Sequence, residues 1–174
     1  MTSSTRRNGE LAIPLSHSVD NLNQNLNLNH NKSSYNRLGY GLIFLPMLAV
    51  YLPTVIFPFK QDIGKDVPFR PPGYVFAIVW PILLFLVGIS WYLRKDSGVI
   101  FNIGFSLLSV VLAVWYILYD INKVYGLIDI ISAFMLTVFL MIYKFKTIES
   151  LLLLPLAAWL VFASILNIYS MQKN

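Results

Sequence analysis

Cysteine is missing from all 174 residues, and only 12% of them are charged. Without thiols there is no disulfide framework and no Cys-ligated metal site. The shortage of charge excludes more. A soluble domain carries about 25% charged and about 45–50% apolar residues, whereas 57% are hydrophobic here. Disorder driven by net charge is excluded by the same shortage. Histidine is confined to His17 and His30. Beyond them the chain has no imidazole for acid–base chemistry, no Gly-rich phosphate loop and no pair of carboxylates on one helical face. Serines without a neighbouring base are ordinary helix hydroxyls. The basic residues stand in loops interleaved with acids, which gives nucleic acid no platform. A membrane protein without classical enzyme machinery or a bound metal is what remains.

Composition changes at Arg37. Residues 1–36 hold eight asparagines, both histidines and three of the thirteen basic residues. Asn21–Asn31 alternates Asn with Leu or Gln and has no face to bury, so residues 1–36 read as a polar, disordered, low-complexity tail. Drift in an AT-rich coding sequence is the plain explanation. Asn31-Lys32-Ser33 fits a glycosylation acceptor if the tail is luminal. Met1–Arg7 is basic and acid-free like a transit peptide, but no apolar core of a secretory signal follows.

Five apolar runs occupy residues 37–174: Leu38–Pro58, Gly73–Leu93, Val99–Tyr119, Val124–Tyr143 and Ser150–Met171. A helix of about 20 residues spans about 30 Å, the hydrocarbon thickness of a bilayer. Backbone groups in lipid must pair within their own segment, and none of the runs alternates as a membrane barrel strand would. The expectation is an all-α, multi-pass bundle of five transmembrane helices with lipids as its surroundings. Arg94–Gly98, Asp120–Lys123 and Lys144–Glu149 are short enough to force antiparallel neighbours. Phe59–Pro72 is longer, with five charges and three prolines, and is the natural place for a lid over a cavity. Eight Lys and Arg fall on the tail side of the spans and five on the other, which favours a cytosolic N-terminus. Without Arg6 and Arg7 the margin is six to five.

Any apolar residue can face lipid, so the other residues inside spans carry the information. Trp91 and Trp115 lie near span ends, as headgroup anchors do. Trp80 and Trp159 lie in mid-span, where an indole N–H finds no partner among lipid tails. Pro155, Trp159, Phe162, Ala163 and Leu166 share a face of the fifth helix, and Trp80, Leu84, Val87 and Gly88 a face of the second. Such mixtures of large aromatics with Gly and Ala form either a close helix seam or the wall of a pocket for a flat apolar ligand. Asp129, the one acid within a span, is either a proton or ion relay or a carboxylate held by a helix N-terminus. Asn167 suggests an interhelical hydrogen bond. Leu166, Tyr169 and Lys173 satisfy the loose sterol-contact pattern.

These residues also carry a resemblance. Arg70-Pro71-Pro72-Gly73-Tyr74-Val75-Phe76-Ala77-Ile78-Val79-Trp80, with Gly88 eight residues on, resembles the Pro-Pro…Phe…Val-Trp…Gly signature of the translocator protein family. That family takes in the tryptophan-rich sensory proteins (TspO/MBR) and the peripheral benzodiazepine receptor. Leu153-Leu154-Pro155-Leu156-Ala157-Ala158-Trp159-Leu160-Val161-Phe162-Ala163 and then Leu166-Asn167 is similar to its Pro-Tyr-Leu-Ala-Trp…Phe-Ala…Leu-Asn motif. Trp115 matches a Trp late in the third helix, and Tyr125 with Asp129 a Trp…Asp pair opening the fourth. The resemblance runs from Leu38 to Asn174.

The resemblance implies a five-helix bundle, often a homodimer, whose central cavity takes a tetrapyrrole such as protoporphyrin or haem as ligand rather than as cofactor. Ligand-binding residues would be Pro71, Pro72, Phe76, Trp80, Trp115, Tyr125, Trp159, Ala163, Leu166 and Asn167. The Phe59–Pro72 loop would be the lid, and sterol would lie on the outer face near Leu166, Tyr169 and Lys173. Some bacterial members imply photo-oxidative porphyrin degradation, in which Trp80 and Trp159 would be the catalytic residues, and transport of porphyrin or sterol is a further alternative. The family places this loop and the C-terminus in the cytosol, against the charge margin, and either a mitochondrial outer membrane or an ER-type membrane would suit it. The chain departs from the family where Gln and Asn of the third helix become Leu108 and Leu112, where Tyr becomes Leu84 and Leu156, and where Lys-Pro-x-Trp becomes Asp66-Val67-Pro68-Phe69. The pocket has thereby lost hydrogen-bonding groups. The Asn-rich tail is foreign to the family.

Overall fold

The computed structural model describes Asn23 and residues 39–56, 67–145 and 147–172. The chain divides between Leu38 and Gly39, and the second unit holds every helix treated below. Of the expected tail only Asn23 is described, while residues 57–66 and Lys173 lie outside the described residues. Six helices follow in order within residues 39–172 as described: α1 Gly39–Ile56, α2 Gly73–Arg94, α3 Val99–Ile121, α4 Lys123–Ile142, α5 Thr147–Leu151 and α6 Leu154–Gln172. Among the described residues there is no strand. With α5 and α6 taken as one span, five segments are long and apolar enough to cross a membrane. The fold is the expected all-α bundle of a multi-pass integral membrane protein. Its outer surface is apolar accordingly: Val55, Val99 and Ile148 are more than two-thirds exposed, which is stable against lipid and not against water.

The fifth run is broken rather than continuous. Leu153 N–H turns back to the Ser150 carbonyl at 3.1 Å, and regular pairing resumes with Ala157 N–H to the Leu153 carbonyl at 3.0 Å. Pro155 favours this break, since it has no N–H to give the Leu151 carbonyl and is best accommodated in the first turn of a helix.

Small residues bring the helices together, as they must where lipid offers no hydrophobic drive for helix association. A Cβ on Gly88 of α2 would lie 1.8 Å from the Ile43 carbonyl oxygen of α1. The two backbones therefore touch, and Tyr40 stacks on Tyr92 beside that contact at 5.2 Å. In the α3–α4 hairpin, Gly104 accommodates Leu140 and Gly126 accommodates Tyr119. The one-residue turn between them works because Asn122 accepts the Val124 N–H at 2.8 Å and so caps α4. Gly98, at φ 133°, makes the left-handed turn from α2 into α3.

The bundle has a packed end and a hollow end. At the packed end Leu84, Val87 and Trp91 of α2 meet Phe101, Phe105 and Leu108 of α3, Leu140 of α4, and Leu153, Leu156 and Leu160 from α5–α6. Trp91 does not anchor in headgroups. It is 2% exposed, stacks on Phe105 at 5.7 Å and donates its indole N–H to Asn102 at 2.8 Å. Arg94, fully buried, donates to the Leu140 carbonyl in the last turn of α4 and to Ser150 Oγ at 2.7 Å. Ser150 Oγ in turn donates to the Met141 carbonyl at 2.8 Å. These carbonyls have no partner within α4, so one cation satisfies its C-terminus and ties α2, α4 and α5 together. At the opposite end Lys123 Nζ donates to the Ser170 carbonyl of α6 at 2.9 Å, and the Tyr119 and Ser170 hydroxyls pair at 2.7 Å.

Candidate functional site: an aromatic cavity

The hollow end encloses a cavity of about 650 Å³, within the 300–1,000 Å³ usual for small-molecule sites. Four helices supply its wall, each through one stripe at helical spacing: Val50, Tyr51 and Thr54 of α1; Gly73, Phe76, Ala77 and Trp80 of α2; Leu112, Trp115, Tyr116 and Tyr119 of α3; and Trp159, Ala163, Leu166 and Asn167 of α6. Helix α4 contributes no lining residue; it packs against α3 and α6 and holds them in place. The described end of the α1–α2 connection adds Val67 and Arg70.

Each expected seam turns out to be divided along its length. On α2 the stripe that begins as cavity wall at Phe76 and Trp80 becomes a close contact at Leu84, Val87 and Gly88. On α6 the stripe from Trp159 to Asn167 faces the cavity, while Pro155 is exposed and Phe162 packs beside Trp159 at 5.4 Å. Phe76 meets Trp159 edge-on at 5.5 Å, closing the α2–α6 side of the wall.

Seven of the ten residues singled out as ligand-binding line this cavity: Phe76, Trp80, Trp115, Trp159, Ala163, Leu166 and Asn167. Pro71 and Pro72 flank it between Arg70 and Gly73 without lining it. Tyr125 is 51% exposed on the first turn of α4 and does not join the wall. Of the sterol pattern, Leu166 faces the cavity and Tyr169 packs edge-on against Phe69 at 5.2 Å, so the two do not share one outward surface. Asp129 is buried and does not line the cavity, so it reaches neither the interface nor this wall. Tyr51, Tyr116 and Tyr119 were not among the expected residues. For the two on α3, the spacing of Leu112, Trp115, Tyr116 and Tyr119 was the signal, since it repeats the pattern read on α2 and α6.

The wall is aromatic but not inert. Trp115 Nε1, Trp159 Nε1 and Asn167 Oδ1 are buried with no hydrogen-bond partner among the described residues. Asn167 does not bridge helices: its Nδ2 donates to the Ala163 carbonyl of its own helix at 3.3 Å and leaves Oδ1 available. Pro81 adds another acceptor, because it has no N–H to offer the carbonyl of Ala77 one turn earlier. At one side Arg70 lays its guanidinium over the Phe76 ring at 5.4 Å. Among the described residues the lining contains no acid and one cation. Among the described residues no group of three or more His, Cys, Asp or Glu could hold a metal ion. Such a site can bind a flat apolar molecule by burial and stacking, and orient it by a few polar contacts.

Comparison with known proteins agrees with this architecture. The sequence model of the TspO/MBR family matches residues 38–172. The tryptophan-rich protein TspO of Archaeoglobus fulgidus is 34% identical over 118 residues, covering 60% of this chain and 73% of that protein.

Proposed function

The chain belongs to the TspO/MBR family, and on that premise we propose that its cavity binds a tetrapyrrole such as protoporphyrin or haem. The observation that carries this reading is a cavity of about 650 Å³ with Phe76, Trp80, Trp115 and Trp159 in its wall. A porphyrin is a rigid, flat, largely apolar disc, and indole and phenyl faces bind such a surface by burial and stacking. Its rigidity keeps the ordering cost of binding low. The loss of family polar groups at Leu108 is explained by place: Leu108 is fully buried in the packed end, whereas Leu112 does line the cavity and makes that wall smoother. The same walls suit a sterol, and cholesterol added as a competitor measures that occupant.

Titration of the full chain in neutral detergent with micromolar protoporphyrin is the test. Saturable quenching of tryptophan fluorescence, weakened when Trp80 and Trp159 are both replaced by Leu, is the expected result. Absence of quenching, or quenching unaltered in the double variant, would remove the reading.

Light-dependent breakdown of the bound porphyrin is a second reading, favoured by three indoles on one wall. Illumination of the complex, wild type against Trp159→Phe, separates it from simple binding. Porphyrin spectra that stay constant in both leave binding alone.

A further inference from the structure

Among the described residues Arg70 is the one charged residue in the cavity wall, and it sits where the described end of the α1–α2 connection meets α2. No carboxylate among the described residues pairs with it. It is half-buried, and its guanidinium carbon lies over the Phe76 ring at 5.4 Å. A cation–π contact of this kind leaves the guanidinium N–H fork to donate elsewhere, and that fork matches a carboxylate with two parallel hydrogen bonds. The adjoining backbone has the same polarity. Gly73 opens α2 and lines the cavity, no acid lies in the first turn, and nothing approaches within 4 Å of where a Gly73 Cβ would be. The positive end of the helix dipole therefore adds to Arg70. The same wall offers Asn167, 3% exposed, with its Oδ1 unpartnered among the described residues.

We infer that the cavity discriminates among flat apolar ligands in favour of those carrying a carboxylate on one edge, and that Arg70 is the residue that recognises it. The inference rests on the reading of the cavity as a ligand site and names its specificity. A carboxylate entering an apolar site in a membrane loses its hydration, and only a cation already in place offsets that loss. An ester of the same ligand has the same shape and none of this attraction.

The test compares each acid with its methyl ester in dodecyl maltoside, a neutral detergent, using the full chain. Protoporphyrin IX is set against its dimethyl ester, and 1-pyrenebutyric acid against its methyl ester. The wild type prefers the acid by about tenfold or more in each pair, as a charge-assisted bidentate contact requires. In Arg70→Gln the acid-to-ester ratio falls to within about twofold, and Arg70→Lys, which keeps the charge without the fork, is intermediate. Circular dichroism and gel filtration report that the variants remain folded. Equal binding of acid and ester by the wild type, or a preference kept in Arg70→Gln, overturns the inference. If neither porphyrin binds but pyrenebutyric acid is still preferred through Arg70, the tetrapyrrole reading fails and carboxylate recognition stands. If none of the four ligands binds, both fail.

Discussion

Trp159 combines two functions on one side chain: its ring forms cavity wall and its N–H is left over. A buried donor without a partner costs about 1–3 kcal/mol, so a ligand that brings an acceptor to it gains beyond what its area buries. Replacing Trp159 by Phe keeps much of the ring surface and deletes the donor. Porphyrin affinity should fall about fivefold, the loss of one net hydrogen bond near 1 kcal/mol, as measured by quenching of the remaining tryptophans. Affinity unchanged in Trp159→Phe would mean that this N–H meets no ligand atom. The mid-span position of Trp80 and Trp159 was enough to mark both from sequence, because an indole has no place among lipid tails. Trp91 and Trp115 were harder. Both lie near span ends, yet one is a core residue bonded to Asn102 and the other a wall residue, and distance along the chain does not say which way a helix is turned. Arg70 was legible as the first residue of a motif. Its stacking on Phe76 depends on how the chain bends at Pro71 and Pro72, which spacing alone does not reveal.

At the scale of the helix, run length and the absence of charge were sufficient to locate all five spans, since a bilayer tolerates few alternatives. The break after Leu151 was less visible. Pro155 was read as part of one face of a continuous fifth helix, because the surrounding leucines carry the apolar run on without interruption. The α1–α2 seam was only half legible, because Gly88 declares a close approach but not its partner. That partner is the Ile43 backbone, and it sets a sharp prediction. Gly88→Ala places a methyl 1.8 Å from the Ile43 carbonyl oxygen, so α1 must move away, at a cost of about 1–3 kcal/mol. The thermal midpoint in detergent should fall by about 2–4 °C for each kcal/mol. Gly41→Ala on the exposed side of α1, where none of the described residues lies within 4 Å, should instead be neutral or stabilising, because alanine is the better helix former by about 1 kcal/mol. Equal midpoints for the two variants would contradict the backbone contact.

For the whole molecule, the division into a packed and a hollow end separates stability from binding. Arg94 illustrates it, since it donates to α4 and α5 and lies over the Phe101 ring of α3 at 4.9 Å, all at the packed end. Arg94→Met removes a buried cation from two acceptors and should destabilise by about 2–4 kcal/mol. Porphyrin affinity, measured well below the melting range, should stay within about twofold, because Arg94 lines no part of the cavity. Parallel loss of both would show that the two ends are coupled. None of this division could be read from composition, which is equally apolar throughout. It arises along the α2 and α3 stripes, whose side chains pack against one another at one end and line the cavity at the other.

That division has a consequence for change over time. A chain that keeps its leucines interlocked at one end can accept new side chains at the other without ceasing to fold. Positions such as Leu112, Ala163 and Leu166 are then free to drift, altering what the protein holds before altering whether it survives. For an engineer the same property makes the aromatic chamber a membrane-borne receptacle, open to relining for pigments or dyes.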